Sequence, residues 1–350
     1  MQFGMFLEFG VRPGGDHATA FREGMRLVDD AEAWGVDAAW LSEFHFAGDR
    51  SVLSSPVVVA GAIAARTERM RIGSAIYVLP LTHPLRIAEE IATLDQLSNG
   101  RIDLGVGRSG FTNFYRGYGI DYAQSQARFD EAMAVLRAVW TGEPVAHKGQ
   151  FYEIQCEPVV PRPVQQPHPP LRMAATRAET FGKVGHEGLP IFVGLRGEGL
   201  DELRDNLKAY RLAWTRAGHP GRGSAFLRIP VFAARDAALA RSEARESIVY
   251  YFARQSRMVA KDAKTRTGAS QDSSRTAMAA RLGELSYEEI LAHRVAFGSA
   301  DELARRFAEL GEVLDIDGIV GELNAGGMLS EASVRESLRI IANDVMPQLR

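Results

Sequence analysis

The chain has 350 residues with 41 basic and 44 acidic side chains, a net charge of −3 with neutral histidines, and 46% hydrophobic residues. That balance belongs to a globular domain, and it supplies no electrostatic reason for a nucleic acid or an anionic membrane as partner. One cysteine, Cys156, excludes an internal disulfide framework and a cysteine-only metal site.

Short apolar runs alternate with amphipathic segments along the chain. Residues 2–8 read as a first strand, because Glu8 interrupts the apolar run and no basic segment precedes it, as a signal peptide would require. The cytoplasm is therefore the expected compartment. Residues 18–34 carry Phe21, Met25, Leu27, Val28, Ala31 and Trp34 at helical spacing, with Gly35 as a stop. Val36–Leu41 is a second strand, 54–66 an Ala- and Val-rich helix, and Met70–Leu79 a third strand. Pro84 opens a helix that runs to Leu97, and Arg101–Val106 is a fourth strand. One helix follows at 125–140, then a stretch at 143–170 that holds seven of the 15 prolines and a small hairpin around His147–Ile154. The alternation then resumes with strands at 171–175, 189–193, 227–233 and 317–323, each followed by a helical segment. Ser299 with Glu302 spells a capping box, and Ser330 an N-cap.

Eight strand–helix units predict a single (β/α)₈ TIM barrel over residues 1–350, with insertions after strand four and in the C-terminal half. A doubly wound sheet would place a G-x-G-x-x-G turn after strand one, and Phe9–Gly15 is not one. The polar stretch 256–283 reads as a long loop, either a surface insertion or a mobile lid.

In a barrel the chemistry sits at the C-terminal strand ends. Strand two ends in Glu43-Phe44-His45-Phe46, where His45 is either a packed histidine or a general base. Strand four ends in Gly107-Arg108-Ser109-Gly110, either a tight turn with an exposed arginine or a phosphate cradle. Strand five ends in Thr176-Arg177-Ala178-Glu179-Thr180 at a helix start, where Thr176 either caps the helix or joins Arg177 and Thr180 in holding an anion. No histidine spacing suggests a metal.

The segments Thr82-His83-Pro84-Leu85-Arg86-Ile87-Ala88-Glu89-Glu90, Leu94–Arg101 and Gly105–Arg108 resemble the bacterial luciferase-like flavin monooxygenase family. So do Phe3–Phe6, Trp40–Phe46 and Glu187–Pro190. The resemblance implies a barrel that takes reduced FMN from an NAD(P)H:flavin reductase and uses O2, through a C4a-(hydro)peroxyflavin, to oxygenate a small organic substrate. It assigns Arg108, Ser109, Gly110, Thr176, Arg177 and Thr180 to the cofactor phosphate. It places the flavin ring over Ser74-Ala75-Ile76, with a cis peptide at Ala75–Ile76. Luciferases carry Glu-His-His where this chain has Glu43-Phe44-His45, so hydroxylation or a Baeyer–Villiger reaction is expected in place of light emission. His45 and Glu43 are the catalytic candidates. Phe44, Glu8 and Leu195 are the substrate-pocket candidates, with Phe9, Arg196, Phe232 and Tyr118 considered by position. The resemblance aligns 256–283 with a mobile active-site loop and implies a homodimer through helices near strands two and three. Two alternatives stand beside it: hydride transfer with the deazaflavin F420, and a flavin-binding protein without turnover.

Overall fold

The structure, a computed structural model, describes residues 1–195, 197, 199–266 and 273–349. In chain order the strands are β1 Gln2–Leu7, β2 Ala38–Leu41, β3 Arg71–Val78, β4 Ile102–Gly107, β5 Val145–Lys148, β6 Glu153–Cys156, β7 Leu171–Ala174, β8 Ile191–Gly194, β9 Ala225–Ala233, β10 Ala296–Gly298 and β11 Gly318–Glu322. The helices are α1 His17–Trp34, α2 Pro56–Ala64, α3 Pro84–Leu97, α4 Thr112–Gly117, α5 Ser125–Val139, α6 Ala178–His186, α7 Leu200–Arg216, α8 Ala237–Thr265, α9 Ser273–Gly283, α10 Tyr287–His293, α11 Ala300–Leu314 and α12 Glu331–Ile340.

Eight parallel strands close in the order β1-β2-β3-β4-β7-β8-β9-β11, with β11 returning to β1 through the pairs Gln2–Gly318 to Met5–Gly321. This is the predicted (β/α)₈ barrel, and all eight strands fall on the apolar runs read from the sequence. The helix ends follow local chemistry. Asp16 accepts from the Thr19 N–H at 2.6 Å, and Gly35 stops α1 at φ 81°. Ser299 and Glu302 form the expected capping box, and Ser330 caps α12. The hairpin β5–β6 lies inside the proline-rich excursion.

The barrel interior is filled by Phe6, Trp40, Phe192, Phe226 and Val320, with Trp40 packed edge-on to Phe192 at 4.9 Å between ring centroids. Gly4 and Gly73 make room for that indole, since a Cβ on either would overlap it. The β3–β4 register shifts between Ser74 and Tyr77, where the Ala75–Ile76 peptide is cis as the resemblance implied. Gly105 and Gly107 on β4 admit this irregularity: a Cβ on Gly105 would overlap the Ser74 carbonyl, and one on Gly107 would stand 2.6 Å from Ile76 Cδ1.

One reading needs correction. The stretch 256–283 is not one long loop: α8 continues to Thr265, and α9 fills Ser273–Gly283. Residues 267–272 lie outside the described residues. Its polarity misleads because charged side chains there are buried, Asp262 and Arg266 among them. The short strand β10, which extends β9 in parallel, and the helix α4 were not expected. Among the described residues no helix is long and apolar enough to cross a membrane.

Candidate active site

Every strand end singled out in the sequence meets at one mouth of the barrel. From β2, Glu43 turns inward and binds twice. Its Oε2 accepts from the Val78 N–H at 2.7 Å, and its Oε1 lies 2.7 Å from His45 Nε2. The carboxylate thus ties the end of β2 to the end of β3, just past the cis peptide. Both residues are buried, Glu43 to 8% exposure and His45 to 5%. If Nε2 carries the proton toward Glu43, Nδ1 is left as an acceptor, and it faces the Tyr118 hydroxyl at 3.4 Å. The rings of Phe114 and Tyr118 stand edge-on to the imidazole at 5.4 and 5.1 Å. His45 is thus both packed and polar, reaching the surface through Tyr118, which is half-exposed. Burial and the nearby Glu43 raise the Tyr118 pKa above its ordinary value.

Phe44 packs on the same Phe114 ring as His45. Arg50 stacks over its ring at 4.1 Å, and Phe111 and Phe114 flank it. Arg50 also ion-pairs with Glu8 at the end of β1. The Oε1 of Glu8 accepts from Arg50 Nε at 3.0 Å and from Arg228 Nη2 at 3.0 Å. Arg228, on β9, forks onto both oxygens of Glu322 on β11 at 2.8 Å each, and the Tyr251 hydroxyl reaches Glu322 at 3.2 Å. Burial alone would raise the Glu8 pKa, but Arg50 and Arg228 overcome it and lower it to about 2. Glu8 is therefore a fixed charge in an ionic floor under the mouth. Sequence reasoning found Glu8 and missed Arg50, Arg228 and Glu322, which only barrel closure brings together.

The two anion-suited turns lie on the opposite side. Ser109 takes a left-handed backbone, φ 58°, and its Oγ accepts from the Phe111 N–H at 3.3 Å. Arg108 donates to Ser125 Oγ at 3.0 Å and pairs with no carboxylate among the described residues. At the second turn, α6 begins at Arg177 with no side-chain cap, so Thr176 is exposed and does not cap the helix. The Thr180 N–H bonds the Arg177 carbonyl at 2.9 Å. Between these turns and the ionic floor sits the half-buried Ala75–Ile76 shelf, which packs on the Trp40 cluster.

The pocket candidates divide. Leu195 is buried, and its carbonyl accepts from Arg294 Nη1 at 2.6 Å. Phe9 packs on Phe21 of α1 and lines one cavity with Glu8, Arg50 and Glu322, whereas Phe232 packs on Phe297 in the helix-facing core. Arg196 lies outside the described residues.

A barrel with this mouth defines a class, and comparison with known proteins names it. The sequence profile described as luciferase-like monooxygenase matches residues 1–315, and the chain belongs to that family. The oxygenase component of a flavin-dependent trigonelline monooxygenase from Acinetobacter baylyi is 31% identical over 157 residues, 44% of this chain and 43% of that protein. The alkanal monooxygenase alpha chain of the Kryptophanaron alfredi symbiont is 28% identical over 193 residues, 55% of this chain and 54% of that one. The chain spans about half the length of the curated relatives it matches. In fold it is similar to a monooxygenase from Streptomyces bottropensis, with a TM-score of 0.83 at 23% identity over 100% of both chains. It is also similar to the oxygenating constituent of 3,6-diketocamphane monooxygenase from Pseudomonas putida in complex with FMN, with a TM-score of 0.82 at 21% identity over 99% of this chain and 98% of that one. An F420-dependent secondary alcohol dehydrogenase shares the fold as well, with a TM-score of 0.76 at 18% identity over 100% of this chain and 99% of that one.

Proposed function

We propose that the protein is the oxygenase component of a two-component FMN-dependent monooxygenase acting on a small organic substrate by hydroxylation or Baeyer–Villiger oxidation. The observation that carries this reading is the pair of phosphate-suited turns flanking the Ala75–Ile76 shelf. The residues fit a phosphorylated flavin. Arg108 keeps donors without a carboxylate among the described residues, and α6 starts at its Arg177 N-cap with no side-chain cap over its first N–H groups. Arg108, Ser109, Gly110, Thr176, Arg177 and Thr180 would hold the phosphate, with the ring system beside Ala75. When bound, the reduced flavin supplies the electrons that activate O2.

The chain's own side chains do the rest. Phe44, Phe111 and Phe114 give the mouth an apolar wall that excludes water from the reacting atoms. Glu43 fixes the His45 imidazole through Nε2 and leaves Nδ1 to exchange a proton with Tyr118 at the entrance. Glu8, held ionised by Arg50 and Arg228, offers a fixed negative charge beside Phe44 that can orient a polar substrate group.

A flavin reductase is the implied partner. Val58 of α2 and Leu97 of α3 are 71% and 67% exposed, and a homodimer closing there would cover them. A single thiol suits a reducing cytoplasm. Fluorescence titration with FMN and with F420 tests the cofactor. Tighter binding of FMN supports the reading, whereas tighter binding of F420 replaces it with hydride transfer. Binding of FMN without any reaction of its reduced form with O2 leaves the flavin-binding alternative.

A further inference from the structure

Between β1, α1, α12 and the loop that follows β11 lies a cavity of about 100 Å³. One water needs about 10–15 Å³ on that measure, so the space takes a small organic group. Phe6, Phe9, Leu27 and Val334 give it an apolar wall, and Glu8 and Arg50 join it to the ionic floor. Phe6 packs in the cluster on which Ala75 and Ile76 rest, so the cavity adjoins the shelf.

The charges around this cavity are almost matched. At the rim Arg12 pairs with Glu23, Glu331 with Arg26 and Arg335 with Asp30. Inside, Glu8 is taken by Arg50 and Arg228, and both oxygens of Glu322 accept from Arg228. Arg254 of α8 also lines the cavity, and it has no carboxylate within ion-pair distance among the described residues. It is 3% exposed, yet among those residues its one hydrogen bond runs from Nη1 to the Asp49 carbonyl at 2.9 Å. Its Nε is buried without a partner. Arg254 is within electrostatic reach of Glu8, but Glu8 already answers two guanidinium groups. Three largely buried guanidinium groups thus face two carboxylates, and one positive charge is left over. A buried cation without a counter-ion is costly until an anion joins it.

We propose that the cavity receives a carboxylate of the substrate and that Arg254 is the residue that selects it. The inference rests on the oxygenase reading above and narrows its substrate to a small carboxylic acid with an apolar body. A planar guanidinium with unpaired donors matches a planar two-oxygen anion, and one negative charge meets the surplus of one positive charge. A phosphate ester would leave its second charge unmatched. The apolar wall takes the carbon skeleton and leads it from Arg254 toward the Ala75–Ile76 shelf.

Calorimetric titration with hexanoate and with its neutral isostere hexanamide tests it. The wild-type protein binds hexanoate about tenfold or more tightly than hexanamide. Arg254→Met keeps the length and apolar bulk without the charge, so it binds hexanamide as before and loses that preference. Arg254→Lys keeps the charge without the fork and holds an intermediate preference, which guards the test against a folding defect in Arg254→Met. The proposal is overturned if the wild type shows no preference for hexanoate, or if the preference survives in Arg254→Met. FMN titration of the same wild-type protein separates two failures. Bound FMN without a hexanoate preference overturns this inference alone, whereas a failure to bind FMN overturns the oxygenase reading and the substrate assignment with it.

Discussion

The ionic floor beneath the mouth makes a measurable demand on stability. Glu8 accepts from Arg50 and Arg228 while its side chain is 13% exposed, and its pKa falls from an ordinary 4.5 to about 2. A carboxyl whose folded pKa is depressed stabilises the fold above its unfolded pKa, and that contribution is lost as pH falls through the folded value. The shift corresponds to about 3 kcal/mol near neutral pH. The Glu8→Gln variant should therefore lose about 3 kcal/mol at pH 7, because two buried guanidinium groups lose a shared counter-charge while Arg228 keeps Glu322. At about pH 3.5 the wild-type carboxyl is partly protonated in the unfolded chain, so the gap between the two proteins narrows by about 1 kcal/mol. Urea unfolding of both proteins at each pH, followed by tryptophan fluorescence, reads this gap. Equal stability at pH 7, or a gap that does not shrink on acidification, would refute the reasoning.

Other expectations follow from single contacts. Arg108→Ala should weaken FMN binding by about 10- to 100-fold while leaving riboflavin binding and the thermal midpoint unchanged, as titration and a melting curve would show. Gly105→Ala places a methyl group against the Ser74 carbonyl, so it should cost about 1–3 kcal/mol and lower the melting temperature, while an alanine at Gly35 tests only the left-handed backbone there. Glu43→Gln keeps an acceptor for the Val78 N–H but removes the carboxylate from His45. Turnover should fall by about 100-fold with folding intact, and its pH profile should shift, which a purely structural role would not produce.

The fold was readable because each βα unit repeats a local rule: an apolar run, then a helix with a start signal such as Asp16, Pro84 or Ser299. The two proposed anion turns were singled out because glycine, arginine and hydroxyl residues sit beside one another in sequence at Gly107–Gly110 and Thr176–Thr180. The ionic floor was not, since Glu8, Arg50, Arg228 and Glu322 come from four elements that only barrel closure unites. The insertion misled for a related reason. Asp262 on α8 and Arg266 just past its end are buried against Thr112 and Gly110, about 150 residues distant in the chain, so their polarity imitates a solvated loop.

The central claim is that this mouth holds reduced FMN and directs its reaction with O2. Rapid mixing of protein and reduced FMN with oxygenated buffer, followed by absorbance, tests it most directly. The account predicts a transient spectrum distinct from both reduced and oxidised flavin, shortened in Glu43→Gln and absent when Arg108→Ala fails to retain the cofactor. Reoxidation at the rate of free FMN, with no transient at saturating protein, would contradict it.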